Sequence, residues 1–353
     1  MGKQAAVKGT LFDGAAAAAR QAPLAARMRP RTLDEIVGHA ALLGQGRPLR
    51  QAIAGGNPGS LILWGPPGSG KTTLARAIAE TLDVAFAPMS AVTAGVADLR
   101  RVVEEARNRL GLTGRRTVLF IDEIHRLAPT IEEVLYPAME DFQLDIVVGK
   151  GPAASSIRLP LPPFTLVGAT TRTGMITGPL RDRFGFIARL DYYEDDELES
   201  IVRRAAGILD VSVSVEGAWE IARRSRGTPR IANRLLRRVR DYAQVRGDGT
   251  INEQTARTGL AVFGVDERGL DKVDRAILTA ICQQFRGGPV GLSTVAISVG
   301  EQTETVEDVY EPFLIQQGLL ARTPRGRIAM PAAWAHIGLE MPIAGDRPLN
   351  LFS

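Results

Sequence analysis

Residues 61–79 read LILWGPPGSGKTTLARAIA, an apolar run of strand length followed by a glycine-rich loop and an alanine-rich helix pattern. Glycines let the backbone wrap closely around a polyphosphate, so that amide N–H groups and the positive end of the helix point at it. The pattern G-x-x-x-x-G-K-T occurs here in the strand–loop–helix context that phosphate binding requires. It predicts a P-loop nucleoside triphosphatase of the α/β class.

The loop residues are expected to do different parts of the chemistry. Lys71 is expected to reach the β- and γ-phosphates, and Thr72 to place its hydroxyl on Mg²⁺. The alternative interpretation is a turn that merely happens to carry a lysine. The residues predicted to bind the phosphates are Gly68, Ser69, Gly70, Lys71, Thr72 and Thr73.

Length and composition narrow the class of protein. With 353 residues the chain is long enough for two or three domains. Cys282 is the only cysteine and the three histidines are scattered, so neither a disulfide scaffold nor a zinc site is expected, and the reducing cytoplasm is the predicted compartment. No run of about 18 apolar residues occurs, so no membrane span is expected. Lys and Arg (43) barely exceed Asp and Glu (39), but arginine clusters late in the chain, which is compatible with a polyanionic partner.

A second apolar run, RTVLFIDE at residues 116–123, ends in two carboxylates. Its composition is typical of a strand buried in a parallel sheet, and such sheets bind ligands at the carboxyl ends of their strands. Asp122 is expected to hold Mg²⁺ through water, and Glu123 to orient and polarise the attacking water. The alternative is a charge bias at the start of a helix, but the P-loop upstream favours the catalytic interpretation.

Further candidates follow the next buried-strand pattern, FTLVGATT at residues 164–171. Thr171 at its end is placed to touch the γ-phosphate or the attacking water. Arg181 and Arg183 lie on a short helix beyond it, and one of them is predicted to be an arginine finger that enters the nucleotide site of a neighbouring subunit. The alternative is an internal salt bridge with Asp182 or another acid, which sequence alone favours.

An inserted β-hairpin is predicted between these two strands. Residues 144–149 and 156–161 alternate apolar and polar side chains around a short turn. Its nearly uncharged tip makes it a candidate docking site for a partner protein, and packing on its own domain is the alternative.

Helical periods dominate from residue 195 onward. Thr228 and Pro229 begin one of these helices with a capping residue and a proline at the first helical position. Arg230 follows at once, and it is expected to reach a nucleotide from a lid domain.

The C-terminal part of the chain predicts a winged helix. Three helical patterns at 272–285, 292–299 and 303–317 precede two short strand patterns at 319–322 and 327–330. Three helices followed by a β-hairpin are the arrangement of a helix-turn-helix relative.

Charge indicates how this winged helix would meet DNA. The third helix, which usually enters the major groove, carries four acidic residues that phosphates would repel. Arg322, Arg325 and Arg327 lie on or beside the turn of the hairpin, so the wing is predicted to touch the DNA backbone without reading sequence. The alternative is a winged helix that binds protein.

Six motifs together carry a family resemblance. They are FIDEIHRL at 120–127, LYPAMEDF at 135–142, GATTR at 168–172, GTPRIANR at 227–234, GGPVGL at 287–292 and RTPRGR at 322–327. Over residues 118–339 the chain closely resembles the RuvB family, the AAA+ motors of Holliday junction branch migration.

The first third carries a different similarity. Its motifs are LFD at 11–13, MRPRTLDE at 28–35, the P-loop run at 61–71 and SAVTAGV at 90–96. These look more like the MgsA/RarA family, AAA+ proteins of stalled replication forks that are related to clamp loaders. The chain therefore resembles a hybrid of two families that share the P-loop.

The resemblance to RuvB implies roles that spacing alone does not assign. Thr171 would be the first sensor, Arg183 the finger acting in trans and Arg230 the second sensor. The residues implied to flank the base or lie near the nucleotide are Met28, Arg29, Glu140, Asp141, Phe142 and Tyr193. Arg322 and Arg327 would contact DNA, and the hairpin at 144–161 matches the one that docks RuvB onto RuvA.

The whole sequence predicts an α/β AAA+ P-loop NTPase with a parallel sheet core, a small helical lid and a C-terminal winged helix. The expected divisions are a tail at 1–26, an ATPase domain at 27–193, a lid at 194–264, a winged helix at 265–340 and a tail at 341–353.

The expected function is an ATP- and Mg²⁺-dependent ring motor, a homo-hexamer, that drives branch migration of four-way junctions and moves duplex DNA together with RuvA and RuvC. One alternative is a fork-associated or clamp-loader-type ATPase. The other is a non-enzyme, a winged-helix DNA-binding regulator that nucleotide switches between states.

Overall fold

The structure is a computed structural model, and it describes residues 24–148 and 155–342. Within these ranges the chain forms three units with apolar cores of their own. They are named here the ATPase unit (residues 24–191), the lid (192–266) and the head (267–342).

Five parallel strands form the sheet of the ATPase unit. The strands of the described ranges are β1 (Leu61–Trp64), β2 (Ala85–Ser90), β3 (Thr117–Asp122), β4 (Gln143–Val148), β5 (Ser155–Pro160), β6 (Thr165–Thr170), β7 (Phe186–Arg189), β8 (Leu320–Thr323) and β9 (Gly326–Ala329). The order in the sheet is β2-β3-β6-β1-β7. The P-loop follows β1, Asp122 ends β3 and Thr171 follows β6, so three adjacent strands present these groups at one edge.

Helices cover both faces of this sheet, which explains why its strands are apolar. The α-helices of the ATPase unit are α1 (Leu24–Arg27), α2 (Ala40–Leu43), α3 (Pro48–Ala54), α4 (Lys71–Thr81), α5 (Val96–Thr113), α6 (Pro129–Glu140) and α7 (Gly178–Arg181). On one face Leu63 packs with Ile78 of α4. On the other face Ile62 packs with Leu135 of α6. Neighbouring strand residues thus enter opposite cores, as the pleat requires.

The lid is a small helical unit, as the sequence predicts. Its helices are α8 (Asp195–Ile208), α9 (Val215–Arg223), α10 (Pro229–Arg246) and α11 (Glu253–Val262). Side-chain oxygens cap two of them, since Ser214 accepts from the amide of Gly217 and Asn252 from that of Thr255. The buried faces of all four helices meet in one core.

The predicted winged helix is confirmed in the head. Its α-helices are α12 (Lys272–Thr279), α13 (Leu292–Val299), α14 (Thr303–Thr305), α15 (Glu311–Gln316) and α16 (Pro331–His336). A π-helical turn extends α12 over Ala280–Gln284, and another joins α14 to α15 over Val306–Tyr310, so residues 303–316 act as one third helix. The antiparallel wing strands β8 and β9 begin and end within one residue of the predicted positions.

The inserted hairpin is also present. Strands β4 and β5 pair antiparallel, with Leu144 opposite Leu159. The tip predicted to dock a partner, residues 149–154, lies outside the described residues.

Ion pairs tie the third helix of the head to the ATPase unit. Arg172, directly after Thr171, donates to Glu307 at 2.9 Å and to Asp308 at 2.5 Å. Arg126 also lies 3.5 Å from Glu304. The acidic side chains that would repel DNA are therefore engaged within the chain. None of the helices in the described ranges is both long and apolar enough to cross a membrane.

Candidate nucleotide and DNA sites

A cavity of about 560 Å³ opens at the carboxyl ends of β1, β3 and β6. The ATPase unit, the lid and the head all contribute to its wall. The structure brings together there most of the predicted nucleotide residues, namely Met28, Arg29, Gly68, Gly70, Lys71, Thr72, Thr73, Asp122, Glu123, Thr171, Tyr193 and Arg230. Ser69 lies beneath this wall and is fully buried.

Close backbone packing explains the glycines of the P-loop. Gly65 has φ +152°, and a Cβ at this position would lie 2.0 Å from the carbonyl oxygen of Leu190. Gly68 and Gly70 have φ values of +85° and +99°. L-residues rarely adopt this backbone, so the loop can form the cradle only with glycine at these positions.

The ammonium of Lys71 is held inside the loop. Its Nζ donates to the carbonyl oxygens of Gly65 at 2.8 Å and Pro66 at 2.9 Å. Burial lowers the pKa of Lys71 to about 8, although the carboxylates of Glu123 and Asp122 act against the shift. A polyphosphate would favour the protonated ammonium, so the electrostatics of the cavity fit an anionic ligand.

Glu123 lines the same cavity. It has a left-handed backbone conformation, with φ 53°, immediately after β3. Burial, reinforced by the neighbouring carboxylate of Asp122, raises the pKa of Glu123. A carboxylate with a raised pKa is a stronger base toward a water proton.

His125 links this carboxylate to β6, a role for which the sequence offers no signal except its place in the FIDEIHRL motif. Its Nδ1 lies 3.3 Å from Oε2 of Glu123 and 2.8 Å from Oγ1 of Thr170. The amide of Arg172 donates to the same Thr170 hydroxyl at 2.9 Å. These contacts connect Glu123 to the backbone segment that carries Thr171.

The lid reaches the P-loop through two predicted residues. A Cβ added at Gly68 would lie 3.1 Å from Cβ of Arg230, so the first turn of α10 packs directly on the loop. A Cβ added at Gly70 would lie 3.4 Å from the hydroxyl oxygen of Tyr193, whose ring also meets the ring of His39 edge-on, with centroids 4.7 Å apart. A ligand in the cavity would therefore contact the ATPase unit and the lid together.

Other residues of the wall have no sequence signal, because distant elements bring them there. They are His39, Arg126, Arg204, Asn233, Arg237 and Asp308. Asp308 belongs to the head, which the sequence predicts as a DNA-binding unit only.

Glu140, Asp141 and Phe142, which the resemblance implies to lie near the nucleotide, do not line this cavity of their own chain. They follow α6 to the opposite edge of the sheet. Phe142 and Arg183 line a separate cavity there, with Thr117 at the amino end of β3. Arg183 pairs with Glu140 at 2.8 Å. The internal salt bridge considered from sequence is thus present.

The three arginines of the wing differ in how much of each side chain is exposed and able to contact DNA. Arg327 donates to Glu311 through two nitrogens, at 3.1 and 2.9 Å, and only 11% of its side chain is exposed. Arg322 pairs with Glu307 at 3.0 Å but has 57% of its side chain exposed. Arg325 is exposed at the turn. Arg322 and Arg325 are therefore the better candidates for phosphate contacts.

Comparison with family models finds three matches along the chain. The P-loop domain of the Holliday junction DNA helicase RuvB matches residues 28–190, the RuvB AAA lid domain matches 193–266, and the RuvB C-terminal winged helix domain matches 267–338. The similarity to RuvB thus begins at residue 28. The sequence motifs predict it only from residue 118 onward, so the matched region extends further toward the N-terminus than they indicate.

Individual proteins agree with these matches. The chain is 54% identical over 329 residues to the Holliday junction branch migration complex subunit RuvB of Mycolicibacterium smegmatis, covering 93% of this chain and 92% of that protein. It is 55% identical over 319 residues to the subunit of the same name from Nocardioides sp., covering 90% and 87%. The solved Thermotoga maritima RuvB Holliday junction branch migration motor matches with TM-score 0.78 and 44% identity, over 89% of this chain and 99% of that one.

Proposed function

Because this chain belongs to the RuvB family, it is an ATP-driven motor of Holliday junction branch migration, and we propose that it works as a ring, with ATP and Mg²⁺ in the P-loop cavity and RuvA and RuvC as partners. The observation that supports the ring is the separation of Arg183 from the P-loop cavity of its own chain. Since the two lie at opposite edges of one sheet, Arg183 acts on the nucleotide of a neighbouring copy.

Within one subunit, the P-loop and the ends of two strands hold the nucleotide. Lys71 binds the β- and γ-phosphates, and Thr72 and Asp122 hold Mg²⁺. When bound, Mg²⁺ neutralises charge on the phosphate oxygens. Met28 and Arg29 flank the base, and Arg230 reaches the phosphates from the lid.

Hydrolysis requires a positioned water. Glu123 accepts a proton from this water, and the contact with His125 orients its carboxylate. Thr171, at the end of the strand between β1 and β3, senses the γ-phosphate. The neighbouring subunit completes the site with Arg183, and Glu140, Asp141 and Phe142 beside it approach the same nucleotide from that side.

Nucleic acid and partner contacts are assigned to the other surfaces. Arg322 and Arg325 of the wing contact DNA phosphates, with Arg327 supporting the wing from beneath. The hairpin at 144–161 binds RuvA. Arg230 joins the lid to the P-loop, so a change of nucleotide changes the angle between ATPase unit and lid, and the ring converts this change into movement of duplex DNA.

The test is ATP-driven dissociation of a synthetic four-way junction by the purified chain, with and without RuvA. Dissociation that requires ATP, Mg²⁺ and RuvA, and that is absent with Lys71→Ala, is the expected result. A nucleotide-switched regulator would hydrolyse ATP too slowly for DNA to stimulate it, and a fork-associated ATPase would act on forks without RuvA. Either outcome would overturn the proposal.

A further inference from the structure

We propose that Tyr136 is a positioning residue for the arginine finger, holding the guanidinium of Arg183 in the plane from which it enters the neighbouring nucleotide site. This inference rests on the assignment of Arg183 as a finger acting in trans.

The two side chains form a cation–π contact. The Cζ atom of Arg183 lies over the ring of Tyr136, 4.3 Å from the ring centroid. A guanidinium over an aromatic face is held by the ring quadrupole while its N–H groups remain free at the edges. Tyr136 can therefore fix the plane of the finger without using the donors that a phosphate needs.

Buried hydrogen bonds fix the ring itself. The hydroxyl of Tyr136 donates to Oε2 of Glu132 at 2.9 Å, and the hydroxyl of Thr177 donates to the same oxygen at 2.8 Å. Glu132 is only 9% exposed, so its carboxylate is a fixed acceptor inside the unit. Glu132 of α6 thus holds the ring and is itself bonded by Thr177, the residue that precedes α7, and α7 ends two residues before Arg183.

One edge of the guanidinium is held by the backbone, and the other meets an exposed carboxylate. Nη1 donates to the carbonyl oxygen of Pro179 at 2.6 Å, one turn earlier in the chain. Nη2 pairs with Glu140, whose side chain is 53% exposed. A phosphate of a neighbouring copy can replace this exposed carboxylate, whereas the stacking on Tyr136 can persist during the exchange.

Arg181, the last residue of α7 and two positions before Arg183, shows the contacts of a structural arginine. Its Nη2 donates to the carbonyl oxygens of Thr173 at 3.3 Å and Ile176 at 3.1 Å, both in the preceding loop. Arg181 therefore stabilises the loop before α7. Arg183 instead lies over the ring of Tyr136 and pairs with the exposed Glu140. This difference supports Arg183 as the finger.

The experiment compares Tyr136→Phe, Tyr136→Trp and Tyr136→Leu with the unmodified chain in steady-state ATPase assays and in binding of a fluorescent nucleotide. The aromatic variants retain turnover within about threefold, because they keep a ring face and because Glu132 keeps the hydroxyl of Thr177 as a donor when Tyr136→Phe removes the tyrosine hydroxyl. Tyr136→Leu lowers kcat tenfold or more with unchanged nucleotide affinity. If Tyr136→Leu fails to fold, Tyr136→Met takes its place. Phe263→Leu is a matched control, since it removes a ring that faces Arg238 at 5.5 Å in the lid, and it leaves turnover unchanged.

A mixing assay separates positioning from a general structural defect. Subunits with Tyr136→Leu keep their own water-activating site, and subunits with Glu123→Gln keep an intact finger. An equimolar mixture of the two therefore regains hydrolysis, as does a mixture of Arg183→Ala with Glu123→Gln.

The inference is overturned if Tyr136→Leu has wild-type turnover or binds nucleotide more weakly. It is also overturned if Tyr136→Phe loses as much turnover as Tyr136→Leu, or if Tyr136→Leu is not rescued in a mixture when Arg183→Ala is. Wild-type turnover in Arg183→Ala alone would instead refute the finger acting in trans.

Discussion

Asp274 is the fully buried acid at the junction between lid and head. Arg226 of the lid donates to its carboxylate and lies 2.9 Å from the carboxylate of Asp271. Burial, which Arg226 only partly offsets, raises the pKa of Asp274 from 3.8 to about 7. Two carboxylates therefore share one arginine, and one of them keeps a proton at mildly acidic pH.

This shift predicts a pH dependence of stability. Between pH 3.8 and about 7 the folded chain binds a proton at Asp274 that the unfolded chain has lost, so the free energy of unfolding falls as pH rises through this window. Asp274→Asn removes that dependence. The difference between the free energies of unfolding of the two proteins, measured in urea, should change by up to about 1.4 kcal/mol per pH unit. A difference that is constant from pH 4.5 to 8 would contradict the raised pKa.

Glu123 illustrates what a residue's neighbours in sequence do and do not reveal. Its position is predictable, because an apolar strand that ends in two acids, downstream of a P-loop, places a carboxylate at the ligand edge of a sheet. Its left-handed backbone and its contact with His125 are not predictable, because both depend on the approach of Thr170 from another strand. Such a conformation persists only where the surrounding structure holds it.

Most of the strands and helices are predictable from the local periodicity of apolar residues. The buried strands, the hairpin and the winged helix follow from alternation, helical period and turn residues, which are properties of short segments. The place of α6 was not available from such patterns. Its end carries Glu140 to the amino edge of the sheet, because the packing of a helix across a sheet is decided by the whole core.

The wing offers a matched pair of substitutions. Arg327 pairs with Glu311, whose side chain is 3% exposed, so Arg327→Ala leaves a buried charge and should destabilise the head by roughly 3–5 kcal/mol. Arg322 is exposed, so Arg322→Ala should keep the stability and weaken duplex binding. The slope of log K against log salt should fall by about 1 for Arg322→Ala. Thermal unfolding and salt-dependent DNA titrations measure both effects, and unchanged DNA binding in Arg322→Ala would contradict the phosphate contact.

Across the whole molecule, Glu307 connects the nucleotide site to the wing. It pairs with Arg172, next to Thr171, and also with Arg322 of the wing. Asp308 beside it lines the nucleotide cavity. The sequence indicates only that DNA phosphates would repel these acidic side chains. No pattern in the neighbouring residues indicates that they bind the ATPase unit.

Removing this connection should loosen the head. Arg172→Ala leaves Glu307 and Asp308 without their partner from the ATPase unit, so amide hydrogen exchange across residues 303–310 should become faster. Arg126→Ala is the matched control, because its contact with Glu304 is longer, at 3.5 Å, and exposed. Equal exchange in Arg172→Ala and the unmodified chain would mean that these ion pairs do not hold the head.

In the proposed ring, one chain contributes Lys71 and Glu123 while its neighbour contributes Arg183 to the same act of hydrolysis. The most direct measurement is ATP-driven dissociation of a four-way junction, with RuvA present, by an equimolar mixture of Arg183→Ala and Glu123→Gln subunits. Each variant alone should be inactive, and the mixture should regain ATP hydrolysis and junction dissociation. Full activity of Arg183→Ala alone, or a mixture as inactive as its parts, would contradict the shared site.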